Sequence, residues 1–244
     1  MEIIHKATTE STNDDIADLA RQGYPNLTTV VAKYQTKGRG RRGNTWEAPP
    51  GNNLLFSILI RSESDPQLWK RIPQIAGVKL ISAIENQFYA DSGIKMKWPN
   101  DLYYYDKKWS GILVESNLGN DPFAILGIGV NCFGTSSDYP TEIQNRVTTL
   151  EEIFKTGEFD PGIFLKAFLQ SLDSDLEEMI VNFDPVLNVA RERDYLFGKS
   201  ISVLEDSKKV SGTAAGIGND GELIIVDRDG IQRPIIGGTI LEMS

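Results

Sequence analysis

The order of hydrophobic and polar positions predicts strands and helices mixed along residues 1–197. Runs rich in β-branched and aromatic side chains at 29–35, 53–60 and 123–131 are typical of buried strands. In other segments apolar side chains recur every three or four residues, which predicts helices that begin near Asn13, Pro73, Thr148, Asp160 and Pro185.

For two of these helices the sequence also predicts the N-terminal cap or the buried face. Thr148 and Glu151 have the spacing of a capping box, so a short helix is expected to begin there. The helix that follows Asp160 has an apolar stripe, which should face the core and consists of Ile163, Phe164, Ala167, Phe168, Leu172, Leu176 and Met179.

A hairpin-like unit is predicted in the middle of the chain. Residues 94–98 alternate apolar side chains with lysines, as a half-buried strand does, and the proline that follows interrupts the ladder. Residues 108–115 form the predicted return strand. This arrangement would bring Lys97, Asp101 and Lys108 together near one end of a sheet.

The character of the sequence changes after about Phe197. Short β-type runs are separated by hairpin turn signals at 219–221 and 229–230. Residues 198–244 are therefore predicted to form a small C-terminal β-barrel. A segment of about 47 residues buries only a small hydrophobic core, so it is not expected to be stable as an independent domain.

Composition narrows the class of protein. The chain has 244 residues, a net charge of −9, one cysteine and one histidine. The charge disfavours a general nucleic-acid or membrane-surface binder. A single cysteine, Cys132, excludes an internal disulfide framework, and it ends an apolar run as a buried, inert thiol would. With no secretory signal and no apolar run long enough to span a bilayer, we expect a cytoplasmic protein.

The positive charge is concentrated in one stretch, KGRGRRGNTW at residues 37–46. Its glycines let backbone N–H groups approach a ligand, and its arginines offer planar donor forks suited to phosphate or carboxylate. Ordering about ten residues costs about 10 to 20 kcal/mol, so the loop should be mobile alone and ordered by an anion. A merely solvated basic loop is the alternative.

Other polar residues have both a structural and a functional interpretation. Residues 11–13, Ser-Thr-Asn, can cap the first helix or bind a polar ligand at its N-terminus. Lys97 and Lys108 can form a structural ion pair with Asp101, or they can face an open cleft. Glycines two apart in the strand at 123–131 mark a close approach by a helix, another backbone segment or a ligand.

Several motifs, in this order, resemble those of biotin protein ligases. These are STN at 11–13, Gln35 before the basic loop, GRGRRGxxW at 38–46, KWPNDLY at 97–103 with KxxGILVE at 108–115, and GxGxN at 127–131. The resemblance covers essentially the whole chain. It implies an α+β fold, with a mixed central sheet flanked by helices in a catalytic domain at 1–197 and a Src-homology-3-like β-barrel at 198–244.

The resemblance also implies a two-step reaction. Biotin would react with ATP to give biotinyl-5′-AMP and pyrophosphate, with Mg²⁺ accompanying the ATP, and a lysine of a biotin carboxyl carrier domain would then accept the biotinyl group. No tightly bound prosthetic group and no metal site of the protein's own are implied. Some relatives pair through the central sheet, so a homodimer is compatible with this interpretation.

Residue roles follow from matching motif positions. The biotin head would be held by Ser11, Thr12, Asn13 and Gln35, and the bare backbone beneath biotin would be provided by Gly111, Gly127 and Gly129. The carboxylate and phosphate groups would be held by Arg39, Gly40, Arg41 and Lys108, with Lys108, Arg41 and Asp101 as the catalytic set. The nucleotide side would use Arg39, Arg41, Trp46, Lys97 and Asn131.

The sequence departs from the family pattern in two places. Bifunctional members carry an N-terminal helix-turn-helix that binds DNA, whereas this sequence starts almost at STN, so no operator binding is expected. Trp109 and Ser110 stand where relatives more often have a small aliphatic pair, a difference that could alter the rim of the pocket but leaves Lys108 and Gly111 in place.

Two other functions compete with this one. A lipoate or octanoate protein ligase or transferase shares the fold and the carrier lysine, but its substrate lacks the ureido group that the polar residues near 11–13 would bind. A protein that binds RNA or single-stranded DNA could use the arginine-rich loop. The overall negative charge and the lack of aromatic residues among the arginines oppose that second alternative.

Overall fold

The computed structural model describes residues 1–88, 93–155 and 159–243. Its larger part is built on a seven-stranded mixed sheet with the strand order β1-β2-β3-β7-β6-β5-β4. The strands are β1 (Ile3–Lys6), β2 (Thr29–Ala32), β3 (Asn53–Ile60), β4 (Ile94–Lys97), β5 (Asp101–Tyr104), β6 (Lys107–Asn117) and β7 (Phe123–Asn131). The helices are α1 (Thr12–Arg21), α2 (Ile72–Phe88), α3 (Leu150–Phe154), α4 (Pro161–Val181) and α5 (Asp184–Glu192).

The C-terminal sheet is antiparallel, with the strand order β11-β10-β9-β8-β12. Its strands are β8 (Ser200–Glu205), β9 (Lys208–Ile217), β10 (Leu223–Val226), β11 (Gln232–Ile235) and β12 (Thr239–Met243). The two-part α+β architecture predicted from the sequence is confirmed. The domain boundary near residue 197 stays a prediction.

Helices cover the two faces of the large sheet unequally. One face packs against α2 and α4, and apolar side chains such as Phe56, Ile58 and Leu126 fill the space between them. On the opposite face α1 packs against β3 and β7, around a smaller cluster that contains Ile16 and Ile125. Because α1 is only ten residues long, part of this second face lies open beyond it.

Four local predictions need correction. The strand predicted at 29–35 ends at Ala32, where pairing with β1 stops, and Gln35 instead forms a single bridge with Thr9. The hairpin-like unit contains an additional strand, β5, which pairs with both β4 and β6. The capping box of α3 and the apolar stripe of α4 also differ from the prediction.

The short helix α3 starts one residue later than predicted. Its capping box joins Thr149 to Glu152, because Thr149 takes the extended N-cap conformation. Glu151 instead accepts a hydrogen bond from the backbone N–H of Gly134 at 2.8 Å. In α4 the stripe is rotated relative to the prediction, since Ile163 is 63% exposed and the buried residues are Phe164, Leu165, Phe168, Leu169, Leu172, Leu176 and Ile180.

Candidate functional site

The site is built on the open part of the sheet beside α1. In the β3–β7–β6 register Ser57 lies opposite Gly127, and Gly129 lies opposite Gly111. Successive side chains of a strand point to opposite faces, so these residues share the face that α1 covers only in part. Neighbouring apolar positions point into the core on the other side. Three glycines on this face therefore let other groups approach the backbone directly, Asn13 at Gly127 and Trp46 at Gly129 and Gly111.

One end of this face is lined by hydrogen-bonding groups held by one another. Thr12 donates to Gln35 Oε1 through its backbone N–H at 2.7 Å and through its hydroxyl at 3.0 Å. Ser57 Oγ donates to Asn13 Oδ1 at 2.5 Å, and Asn13 Nδ2 donates to Glu115 Oε2 at 2.5 Å. These contacts join α1 to β3 and β6 and fix the direction in which each polar group points.

Ser57 and Glu115 belong to this cluster although sequence reasoning did not select them. Ser57 is the one hydroxyl in the apolar strand NLLFSILI and is fully buried. A buried hydroxyl needs a partner, so its isolation in that strand was an available signal. Glu115 is the final residue of the recognised KxxGILVE motif. Ser11 stands at the N-cap of α1 and is buried, but its side chain makes no capping hydrogen bond.

The basic loop at 37–46 folds back on itself over the sheet. The Gly40 N–H donates to Asn44 O at 2.7 Å, and the Trp46 N–H donates to Gly38 O at 3.0 Å. The indole of Trp46 then lies directly against the backbone of Gly129 and close to Gly111, where any side chain would overlap it. The loop thus forms a wall opposite the sheet.

The arginines of this loop point in different directions. Arg39 forms ion pairs with Asp14 at 2.5 Å and Glu115 at 3.1 Å, and the hydrogen bond to Asp14 is the main cause that raises its pKa. Its predicted contact with phosphate would require it to leave these carboxylates. The Arg41 guanidinium, by contrast, makes no hydrogen bond or ion pair with the residues that the structure describes, and burial is the main cause that lowers its pKa.

Cationic groups gather at the other end of the face. Lys108 Nζ lies 2.7 Å from Asp101 Oδ1 and 5.0 Å from the centre of the Trp46 ring. Both members of this ion pair line the cavity. Lys108 therefore fits both interpretations given from the sequence, since it forms an ion pair with Asp101 and also faces the cleft. Lys97 Nζ is 3.3 Å from the Tyr103 hydroxyl and lies over the rings of Tyr103 and Tyr195.

Lys97 is in an unfavourable place for a charge. Burial is the largest cause that lowers its pKa, and the charges of Lys108, Lys199 and Arg146 lower it further, whereas Asp101 raises it. Burial also raises the pKa of the Tyr103 hydroxyl, so that group stays neutral at ordinary pH. A bound anion would relieve this accumulation of positive charge.

These two ends enclose one cavity of about 230 Å³. Of the predicted site residues, the cavity wall includes Ser11, Thr12, Asn13, Gln35, Arg39, Gly40, Arg41, Trp46, Lys97, Asp101, Lys108, Gly111, Gly127 and Gly129. The C-terminal sheet adds a wall that the sequence did not reveal, made of Gly238, Thr239 and Ile240. Residues from both parts of the chain therefore meet around one space.

Three residues named from the sequence lie outside the cavity wall. Asn131 is buried behind Lys108, where its Nδ2 donates to Thr148 O at 3.1 Å, so its role on the nucleotide side stays a prediction. Trp109 and Ser110 do not alter the rim as expected, because both are fully buried. The hydroxyl of Ser110 instead donates to Gly129 O at 2.9 Å.

Cys132 is buried, and burial raises its pKa to about 12, in agreement with the predicted inert thiol.

Across residues 1–88, 93–155 and 159–243, no group of three or more His, Cys, Asp or Glu side chains is arranged to hold a metal ion. In the same ranges, no helix has the length and apolar character needed to cross a bilayer.

Comparison with known proteins gives two family matches. Residues 6–131 match the Biotin/lipoate A/B protein ligase family, and residues 196–241 match the Biotin protein ligase C terminal domain. The first match contains every predicted site residue, and the second contains Gly238, Thr239 and Ile240, which line the cavity from the C-terminal part of the chain.

Individual proteins show the same similarity. A structure of the biotin protein ligase from Aquifex aeolicus in complex with biotin and ATP is 28% identical, covers 100% of this chain and 98% of its own, and superposes with a TM-score of 0.82. The biotin–[acetyl-CoA-carboxylase] ligase of Mycobacterium tuberculosis is 28% identical over 226 residues, which are 90% of this chain and 81% of that protein.

A bifunctional ligase/repressor of Salmonella typhimurium is 30% identical over 213 residues, which are 86% of this chain and 65% of that protein. The chain spans between 64% and 71% of the length of four bifunctional relatives of this kind.

Proposed function

The chain belongs to the biotin/lipoate A/B protein ligase family, and from this premise we propose that it joins biotin to a lysine of a carrier protein at the expense of ATP. It is an enzyme of the biotin–[acetyl-CoA-carboxylase] ligase class. The carrier is the biotin carboxyl carrier domain of a biotin-dependent carboxylase. One feature carries the proposal: hydrogen-bonding groups stand at one end of a single cavity, and Lys97, Lys108 and Arg41 bring positive charge to the other end.

Biotin has the shape and polarity that this cavity requires. Its ureido head can exchange hydrogen bonds with Thr12, Asn13 and Gln35, which are already held in fixed directions. Its fused rings and aliphatic chain would lie along the strand at Gly127 and Gly129, and the Trp46 indole that now covers Gly129 would shift to make room for them. Its carboxylate would then reach the end at which Lys108 is placed.

The first step joins two anions, so charge neutralisation is its main requirement. A biotin carboxylate oxygen attacks the α-phosphorus of ATP, the bond from that phosphorus to the bridging oxygen breaks, and pyrophosphate leaves. Lys108 and Arg41 would stabilise the charge on the α-phosphoryl oxygens, and the fixed cavity would align the reactants. Mg²⁺ would enter with the triphosphate, and Asp101 could supply one oxygen ligand, as is usual for this ion.

The second step consumes the mixed anhydride. The neutral amine of the carrier lysine attacks the acyl carbon, an amide forms, AMP leaves with the electrons of the broken acyl–oxygen bond, and the nitrogen loses a proton. Asp101 is the carboxylate among the described residues that line the cavity, so we assign it the role of receiving that proton. Exclusion of water by Trp46 and the loop would protect the anhydride until the carrier arrives.

A direct test uses biotin, ATP, Mg²⁺ and a carrier domain, followed by mass spectrometry of the carrier. The expected product carries one biotinyl group, and a carrier with its acceptor lysine changed to arginine stays unmodified. Lipoate should bind at least about 100-fold more weakly than biotin, because it leaves the polar end of the cavity unpaired. A preference for lipoate in competition titrations would replace this proposal with a lipoate ligase.

The lowered pKa of Lys97 gives the reaction a predicted pH dependence. If the Lys97 ammonium binds phosphate, kcat/KM for ATP should fall as pH rises through the pKa of Lys97 in the free enzyme. Burial places that pKa below the ordinary value of 10.5, so the decline begins at lower pH than it would for an exposed lysine. Above that pKa the loss is about tenfold per pH unit.

The Lys97→Arg variant is the matched control for this profile. Arginine keeps its charge across the whole range, so the alkaline decline in ATP–pyrophosphate exchange should disappear even if the maximal rate is reduced. An unchanged decline in the variant would assign the titration to another group.

A further inference from the structure

Arg42 differs from the other loop arginines because its side chain reaches the C-terminal sheet. Its Nη1 donates to Leu204 O at 3.0 Å and to Thr239 Oγ1 at 3.3 Å. The backbone of Arg42 is left-handed, with φ of 55° and ψ of 37°. This conformation is uncommon for a residue with a side chain, and it sends the neighbouring Arg41 and Arg42 side chains in different directions.

The surface that receives Arg42 is itself well fixed. Leu204 on β8 and Thr239 on β12 are register partners, so the two acceptors lie next to each other on one rung of the sheet. The next residue of β8, Glu205, accepts hydrogen bonds from the backbone N–H groups of Ile236 at 2.9 Å and Gly237 at 3.3 Å. The turn before β12 is therefore tied to β8, and Arg42 binds at that junction.

This junction is continuous with the active-site cavity. Thr239, which accepts from Arg42, also lines the cavity, together with Gly238 and Ile240. Arg41 precedes Arg42 directly and lines the same cavity, and Trp46 lies four residues further on. A contact made by Arg42 therefore limits the positions that Arg41 and Trp46 can take.

We propose that Arg42 is a positioning residue that fastens the basic loop to the C-terminal sheet and so holds Arg41 and Trp46 closed over the adenylate. Its predicted effect, slower release of biotinyl-5′-AMP, rests on the proposed function. Arg42 need not touch the reacting atoms. The C-terminal sheet therefore takes part in closing the site. It supplies the two hydrogen-bond acceptors of Arg42, and it also forms one wall of the cavity.

The main test compares release of preformed biotinyl-5′-AMP from four proteins: wild type, Arg42→Ala, Arg42→Lys and Lys37→Ala. Loss of one charge-assisted hydrogen-bond anchor should speed release roughly tenfold in Arg42→Ala while the Kd for biotin alone changes little. Arg42→Lys, which keeps a donor, should restore part of the retention. Lys37→Ala is the matched control, because its ammonium pairs with exposed Glu10 at 2.9 Å, away from the cavity.

The partner on the sheet gives an independent check. Thr239→Val removes one acceptor and keeps the side-chain volume, so it should speed release less than Arg42→Ala does. If the two residues act through their contact, the double variant should release adenylate no faster than Arg42→Ala alone. Additive effects, or equal effects in Lys37→Ala, would overturn the proposal.

Amide hydrogen exchange separates this proposal from the proposed function. The loop N–H groups of Gly40 and Trp46 are held by hydrogen bonds within the loop, and they should exchange faster in ligand-free Arg42→Ala than in wild type. Unchanged exchange would overturn the fastening role even if adenylate forms. If wild-type protein forms no adenylate, the proposed function fails, and faster exchange in the variant would still support the contact itself.

Discussion

Replacement of Lys108 by alanine is expected to reduce the rate of adenylate formation on the order of 100- to 1,000-fold, because one preorganised cationic donor to the α-phosphoryl group is lost. Lys108 is held for this task by Asp101 at 2.7 Å and by the face of Trp46 at 5.0 Å. ATP–pyrophosphate exchange that depends on biotin measures this step alone, without the carrier.

Two controls make this result specific. Lys107→Ala removes a neighbouring lysine on β6 that does not line the cavity, so it should keep nearly the full exchange rate. Lys108→Arg keeps the charge but changes its shape, and it should recover part of the activity. Full exchange activity in Lys108→Ala would refute the assignment of Lys108. A folded variant is verified by a thermal unfolding midpoint close to that of wild type, since partly exposed ion pairs contribute little stability.

Arg41→Ala is expected to release biotinyl-5′-AMP roughly 10- to 100-fold faster than wild type, since charge-assisted hydrogen bonds contribute about 1.5 to 3 kcal/mol each. Arg41 is a partly buried cation with no counter-charge in hydrogen-bond contact among the described residues, so an anionic ligand is its natural partner. Release is followed by dilution of the preformed complex into unlabelled biotin and ATP.

The Arg39→Ala variant should be compared with Arg41→Ala in the same release measurement. Arg39 is two residues away in the same loop, but its guanidinium is already paired with Asp14 and Glu115. We therefore expect a smaller effect on release than that of Arg41→Ala. Equal effects of the two substitutions would show that Arg39 leaves its carboxylates and contacts the adenylate when the adenylate binds, as the family resemblance implies.

Much of the fold could be predicted because its patterns are local. The strand predictions at 53–60 and 123–131 coincide with β3 and β7, since continuous apolar runs specify central strands that are buried on both faces. One error occurred where two neighbouring residues were chemically equivalent candidates. Thr148 and Thr149 can each cap a helix, and only the path of the chain through β7 and the following turn selects Thr149.

By itself the sequence identified residues that line the cavity: arginines of the cationic loop, the lysines of the central motifs and the polar residues at the start of the first helix. Such motifs are visible because their members lie within a few residues of one another. The tertiary structure alone decided how they are combined. It joined Asn13 to Ser57 and Glu115, directed Arg39 to carboxylates and Arg42 to the C-terminal sheet, and laid Trp46 on bare backbone. These contacts link residues far apart in the chain, so they depend on strand register and packing, which no local pattern encodes.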